Sequence, residues 1–330
     1  MKNGFYMGYD ASGLTPQQIL CQAQALLDEG WYAAGYQTIE VGVRNAEELC
    51  LLKETAENLR NVGFRVGVEA GGECTAEEIA AMISALGAQR VTLCHAGDNA
   101  HTEDMLRSLP KGVSVSLRVE EKDLAWAAQA ADTVILESST LTGDFFEVTR
   151  NQLDSCRDGD TDTAKSTANL RNACLKEGGR IALGPLPLRF DYYRNEAIFL
   201  QLCMLGCPLI LKGDVRAVPR RFADLAQNPE VIHVASCVPG CVLRYYDPWH
   251  ILMGKPDGEK YAYALLLNRC HGDQPTDLKP ADLGWEGRFR IVLWPENVLA
   301  GAMLESYEIH LETSDHPQTP CCRLVRAERL

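Results

Sequence analysis

The chain has 330 residues, 46% of them apolar and 23% charged, so it can bury a substantial core and is not disordered as a whole. Its 45 Asp and Glu against 32 Lys and Arg give a formal charge of −13, which argues against nucleic acid or an anionic membrane as partner, because phosphates need a basic footprint. No uncharged apolar stretch is long enough to span a bilayer, and no apolar run of the kind a secretory signal needs follows Met1-Lys2-Asn3-Gly4. The thirteen cysteines are odd in number and scattered, which fits reduced thiols better than a disulfide scaffold. A cytoplasmic location is expected. Cys203 and Cys207, and Cys237 and Cys241, lack the further ligands that would complete a zinc site, so no metal is expected.

The first two hundred residues alternate short apolar runs with amphipathic segments. Strands are predicted at 5–9, 38–43, 64–69, 90–95, 113–119, 133–137, 180–183 and 208–211. Between the first two, Thr15-Pro16-Gln17-Gln18 has Thr at the N-cap, Pro at the first helical position and Gln at the third, a capping box. Ile19, Leu20, Ala23, Leu26 and Leu27 follow at helical spacing, and Gly30 stands where the helix should stop. Asn45-Ala46-Glu47-Glu48 and Thr75-Ala76-Glu77-Glu78 open helices in the same way. Eight such units predict a (β/α)8 TIM barrel over residues 1–230. An open doubly wound sheet fits less well, because no G-x-G-x-x-G follows a strand. Beyond about residue 230 the segments 261–268, 289–293 and 303–311 alternate or run apolar without intervening helices. They predict a small antiparallel β-sandwich over 231–330.

Several segments carry a resemblance. These are Met7-Gly8-Tyr9, Gly30-Trp31-Tyr32-Ala33-Ala34-Gly35-Tyr36, Gly63-Phe64-Arg65-Val66-Gly67-Val68, Pro208-Leu209-Ile210-Leu211-Lys212-Gly213-Asp214-Val215-Arg216, Asn228-Pro229-Glu230-Val231-Ile232-His233-Val234 and Tyr261 to Arg269. Together they resemble the α-galactosidase and α-N-acetylgalactosaminidase family of glycoside hydrolases, a (β/α)8 barrel followed by a β-sandwich. The resemblance implies a carbohydrate partner, retaining hydrolysis and no cofactor. It also implies two carboxylates about 5–5.5 Å apart at strand ends, one a nucleophile and one an acid/base.

The active-site motifs of that pattern are degenerate. The nucleophile's place at the end of the fourth strand reads Leu93-Cys94-His95, with Asp98 three residues on. The acid/base spacing is kept in Thr140-Leu141-Thr142-Gly143-Asp144, with Thr140 replacing an Arg. The sugar-gripping Asp-Asp of the second strand is replaced by Glu40-Val41-Gly42-Val43, and the seventh strand's acidic turn by Leu183-Gly184-Pro185-Leu186-Pro187. On the fifth strand stands Ser116-Leu117-Arg118-Val119-Glu120.

The expected function is therefore a carbohydrate-binding glycosidase relative with lost or strongly altered catalysis. Candidate catalytic residues are Asp144 and Asp98, and candidate sugar contacts are Tyr9, Asp10, Glu40, Glu69, His95, Arg118, Glu120 and Glu137. The alternatives are an active glycosidase using a relocated pair such as Asp98 and Asp144, or a scaffold without a ligand. A homo-oligomer stays open.

Overall fold

Helix-opening signals frame the first part of the chain. The computed structural model describes residues 5–71, 74–95, 97–119, 123–136, 180–182, 185–188, 192–236, 242–247, 250–268, 274–283, 286–295, 298–303, 305–311 and 321–330. Thr15 and Thr75 each accept a hydrogen bond from the backbone N–H three residues on, and the side chains of Gln18 and Glu78 reach back to their backbone N–H. These boxes open α1 (Pro16–Asp28) and α4 (Ala76–Leu86). Asn45 caps α3 (Ala46–Asn61) and Asp98 caps α5 (Asn99–Ser108), each through its side-chain oxygen. Gly30, at φ +83°, separates α1 from the short α2 (Trp31–Ala34). A side chain there would strain the backbone. The sixth helix, α6, spans Leu124–Ala130.

The strands between them are β1 (Met7–Asp10), β2 (Thr38–Val43), β3 (Arg65–Ala70), β4 (Arg90–Cys94), β5 (Ser114–Val119), β6 (Thr133–Leu136), β7 (Arg180–Ala182), β8 (Leu186–Pro187) and β9 (Leu209–Lys212). All pair in parallel, in the order β7-β6-β5-β4-β3-β2-β1-β9-β8, and form the (β/α)8 barrel with its helices. The two-residue β8 is an addition to the eight predicted strands; it lies in the Leu-Pro stretch just after β7 and pairs with β9.

Residue parity divides the barrel wall into two chemistries. Ile39, Val41 and Val43 of β2, Val66, Val68 and Ala70 of β3, and Val91 and Leu93 of β4 are buried on one face. Their alternates, Thr38, Glu40, Gly67, Glu69, Arg90 and Thr92, lie on the other face, which turns inward. The apolar face contributes about 25 cal/mol per Å² buried, and the polar face needs internal partners to be tolerated.

The chain divides into two compact units, and the second gathers three further helices with the C-terminal strands. The helices are α7 (Tyr192–Leu205), α8 (Arg220–Ala226) and α9 (Pro229–Ser236). Six antiparallel strands follow in the order β10 (Val242–Asp247), β11 (His250–Asp257), β12 (Tyr261–Asn268), β17 (Cys321–Arg329), β14 (Phe289–Trp294) and β15 (Val298–Met303). A second sheet pairs β13 (Gln274–Leu278) with β16 (Tyr307–Leu311). Ala262, Ala264 and Leu266 of β12, Phe289 and Ile291 of β14, and Val325 and Ala327 of β17 meet Leu278 of β13 and Leu283 in one core. Two layers sharing a core are a β-sandwich. The alternate residues Tyr263, Leu265, Trp294 and Leu324 are buried too, on the face where α7 packs against β12 and β17. The single strand predicted over 303–311 is two strands, because the chain breaks at the exposed Glu305 and Ser306.

The segment after β9 ties the end of the barrel to its beginning. Gln22 of α1 donates to Asp214 Oδ1 at 3.1 Å and accepts from the Val215 N–H at 3.2 Å. Arg216 adds two charged hydrogen bonds of 2.8 Å to the same carboxylate and holds it well below the usual acid range. Gln22 is buried, so replacing it strands the Val215 N–H without an acceptor. We expect Gln22→Met, which keeps the volume, to cost about 1–3 kcal/mol in chemical denaturation. An unchanged midpoint would show that this tie is dispensable.

Candidate functional site

The inward face of the barrel carries the chemistry, and its centre is a buried acid. Glu40, 8% exposed, accepts a 2.8 Å hydrogen bond from the Tyr6 hydroxyl. The Arg90 guanidinium lies 3.5 Å from the centroid of the Tyr6 ring and donates to Ser116 Oγ at 2.7 Å. Gly67 stands between Glu40 and Arg90 in register, and a Cβ there would come within 3.0 Å of Glu40 Cγ. The glycine leaves the room this cluster occupies. Burial raises the Glu40 pKa, with Asp10 and Glu69 adding to the rise, while Arg90 and the Tyr6 hydrogen bond oppose it. Burial and the neighbouring Glu40 likewise push the Tyr6 phenol well up.

Two ion pairs flank this centre. Lys212 at the end of β9 donates to Asp10 Oδ2 at 2.8 Å and to Ser12 Oγ at 3.2 Å, while the Ser12 N–H donates to Asp10 Oδ1. Arg118 of β5 meets Glu69 of β3 at 2.8 Å. Asp10, Glu40, Glu69 and Arg118 are thus brought together on one face. Lys212, Arg90, Tyr6 and Ser116 were missed.

The remaining candidates lie elsewhere. Tyr9 has the opposite parity to Asp10; it is buried and donates to the Gly213 carbonyl at 2.7 Å, and burial pushes its phenol up to about 12. It packs in the wall and does not face the mouth. The His95 side chain is 1% exposed and stacks against Trp126 with ring centroids 5.1 Å apart. Its Nδ1 lies 2.8 Å from Thr102 Oγ1, whose own proton goes to the Asp98 carbonyl at 3.0 Å. Nδ1 therefore donates to Thr102, and Nε2 faces Asp123 Oδ2, 3.6 Å away. Asp98 is exposed, and its carboxylate accepts from the His101 N–H as the cap of α5. Glu120, Glu137, Thr140 and Asp144 lie outside the described residues. Among the described residues no three His, Cys, Asp or Glu side chains are arranged to hold a metal, and no helix is long and apolar enough to cross a membrane.

Solved structures share this architecture along the whole chain. An α-galactosidase from Saccharomyces cerevisiae superposes with a TM-score of 0.77 at 13% identity, over 100% of this chain and 98% of that one. The α-galactosidase I of Mortierella vinacea gives 0.73 at 13% identity, over 98% and 96%. This chain has the α-galactosidase fold. A β-L-arabinopyranosidase from Geobacillus stearothermophilus, at 0.77 and 12% identity over 99% and 96%, has the fold as well. No family profile matches the sequence, and no curated protein matches it.

The raised acid makes a test of this geometry. Glu40 in the folded state keeps a proton that the unfolded chain, with an ordinary glutamate near pKa 4.3, has already released. Its contribution to stability therefore falls as pH rises from about 4.3 through the folded-state value. Glu40→Gln should gain on the wild type as pH rises from 4 toward 8 in denaturation experiments. A constant difference across that range would mean that Glu40 is not buried as described.

Proposed function

We propose that this protein is a carbohydrate-binding relative of the glycoside hydrolases that has lost retaining hydrolysis. The observation that carries the reading is the commitment of the strand-end acids. Retaining hydrolysis needs an ionised, accessible carboxylate to attack the sugar and a protonated one about 5–5.5 Å away to protonate the leaving group. Asp10 has one oxygen tied to the Lys212 ammonium at 2.8 Å and the other to the Ser12 N–H. Glu69 has its oxygen on a guanidinium. Glu40 has the raised proton affinity of an acid, yet it is buried and bonded to Tyr6. At the end of β4, where the resembling pattern places its nucleophile, the side chain is a buried imidazole.

The relocated pair of Asp98 and Asp144 gains no support, since the Asp98 carboxylate is taken up as a helix cap. What remains is a polar inward face at strand ends, the position at which barrel enzymes bind their ligands. The buried thiols of Cys203 and Cys207 suit a reducing compartment.

We expect no release of nitrophenol from α-galactoside or α-N-acetylgalactosaminide substrates, together with saturable binding of a simple sugar by calorimetry. Turnover abolished by Asp144→Asn would overturn the loss of catalysis. A failure of every sugar in a broad panel to bind would favour a scaffold.

A further inference from the structure

We propose that the mouth of the barrel selects a sugar bearing a carboxylate, a hexuronate, over the corresponding neutral hexose. This rests on the reading above that the mouth binds carbohydrate. The first support is the order in which charges meet solvent. The Lys212 side chain is 46% exposed and its partner Asp10 only 11%, while Arg118 is 29% exposed and Glu69 23%. At Lys212, on a protein whose formal charge is −13, the cation is far more exposed than the acid it pairs with.

The second support is the balance of donors and acceptors. A neutral hexose brings hydroxyl protons that need acceptors, and carboxylates are the strongest a protein offers. Here the Asp10 oxygens already accept from Lys212 and the Ser12 N–H, a Glu69 oxygen accepts from Arg118, and a Glu40 oxygen accepts from Tyr6. Donors are in better supply. The Lys212 ammonium carries three protons and directs two of them to Asp10 and Ser12. Thr92, in register with Glu69 and Ser116 on the inward face, has a buried hydroxyl with no partner among the described residues. A ligand carboxylate would accept the Lys212 proton that neither Asp10 nor Ser12 takes.

The two cations also occupy different parts of the wall, since β5 and β9 are separated in the sheet by β4, β3, β2 and β1. A single carboxylate therefore engages one of them. The two single substitutions should differ in effect and so orient the sugar.

Calorimetry with galacturonate and with galactose on the full-length protein tests the proposal. Galacturonate should bind about tenfold or more tightly, the value of one charge-assisted hydrogen bond, and should weaken as salt is added. Either Lys212→Gln or Arg118→Gln should erase that preference, and the charge-keeping Lys212→Arg or Arg118→Lys should restore part of it. Thermal unfolding of each variant separates a lost contact from a lost fold, and the preference in the wild type stands as evidence even where a variant fails to fold. Galactose binding as tightly as galacturonate would overturn this inference and leave the carbohydrate reading standing. Binding of neither sugar or of any other in the panel would overturn both.

Discussion

The pairing of acids with donors inside the barrel is the constraint on which the rest depends. Asp10, Glu40 and Glu69 lie close enough that the first and last raise the proton affinity of the second. Acids gathered at one end of a barrel lose hydration as they are buried, and each then needs a partner. Lys212, Arg118, and Arg90 with Tyr6 offset that cost one by one. The proposed loss of hydrolysis rests on the same pairings, Asp10 with Lys212, Glu69 with Arg118 and Glu40 with Tyr6.

The apolar half of the wall makes this polar interior affordable to the fold. Valine, isoleucine, leucine and alanine fill the alternate positions of β2, β3 and β4 and are buried there. Stability comes from that surface, while the inward face contributes shape and charge. The sandwich is organised differently, with both faces of β12 buried, one in the shared core and one where α7 packs on β12 and β17. Its strand β12 accordingly reads as one long apolar run from Tyr261 to Leu267.

Much of this was legible in the sequence because the signals were local. Thr15 with Gln18 and Thr75 with Glu78 announced helices whose caps are present in the structure, and alternation in 38–43 and 64–69 announced strands. The gathering of Asp10, Glu40, Glu69 and Arg118 followed from the rule that strand ends converge at one mouth of a barrel. Parity was the step missed for Tyr9, which sits next to an inward residue and therefore faces away. Lys212 and Tyr6 were invisible for another reason. Their partners are distant in sequence, 202 residues away for Asp10 and 34 for Glu40, and no local pattern pairs them. Asp98 read as a catalytic candidate because a carboxylate near a strand end and a helix cap look alike in one dimension.

The central claim is that the strand-end acids are spent on internal partners, and a double-mutant cycle on Glu69 and Arg118 tests it most directly. Glu69→Gln, Arg118→Gln and the double variant are compared with the wild type by chemical denaturation. A committed pair predicts a coupling energy of about 0.5–3 kcal/mol, with each single variant losing more than its share of the double. Additivity within about 0.3 kcal/mol would mean that Glu69 is free to do chemistry, and the account would be wrong at its foundation.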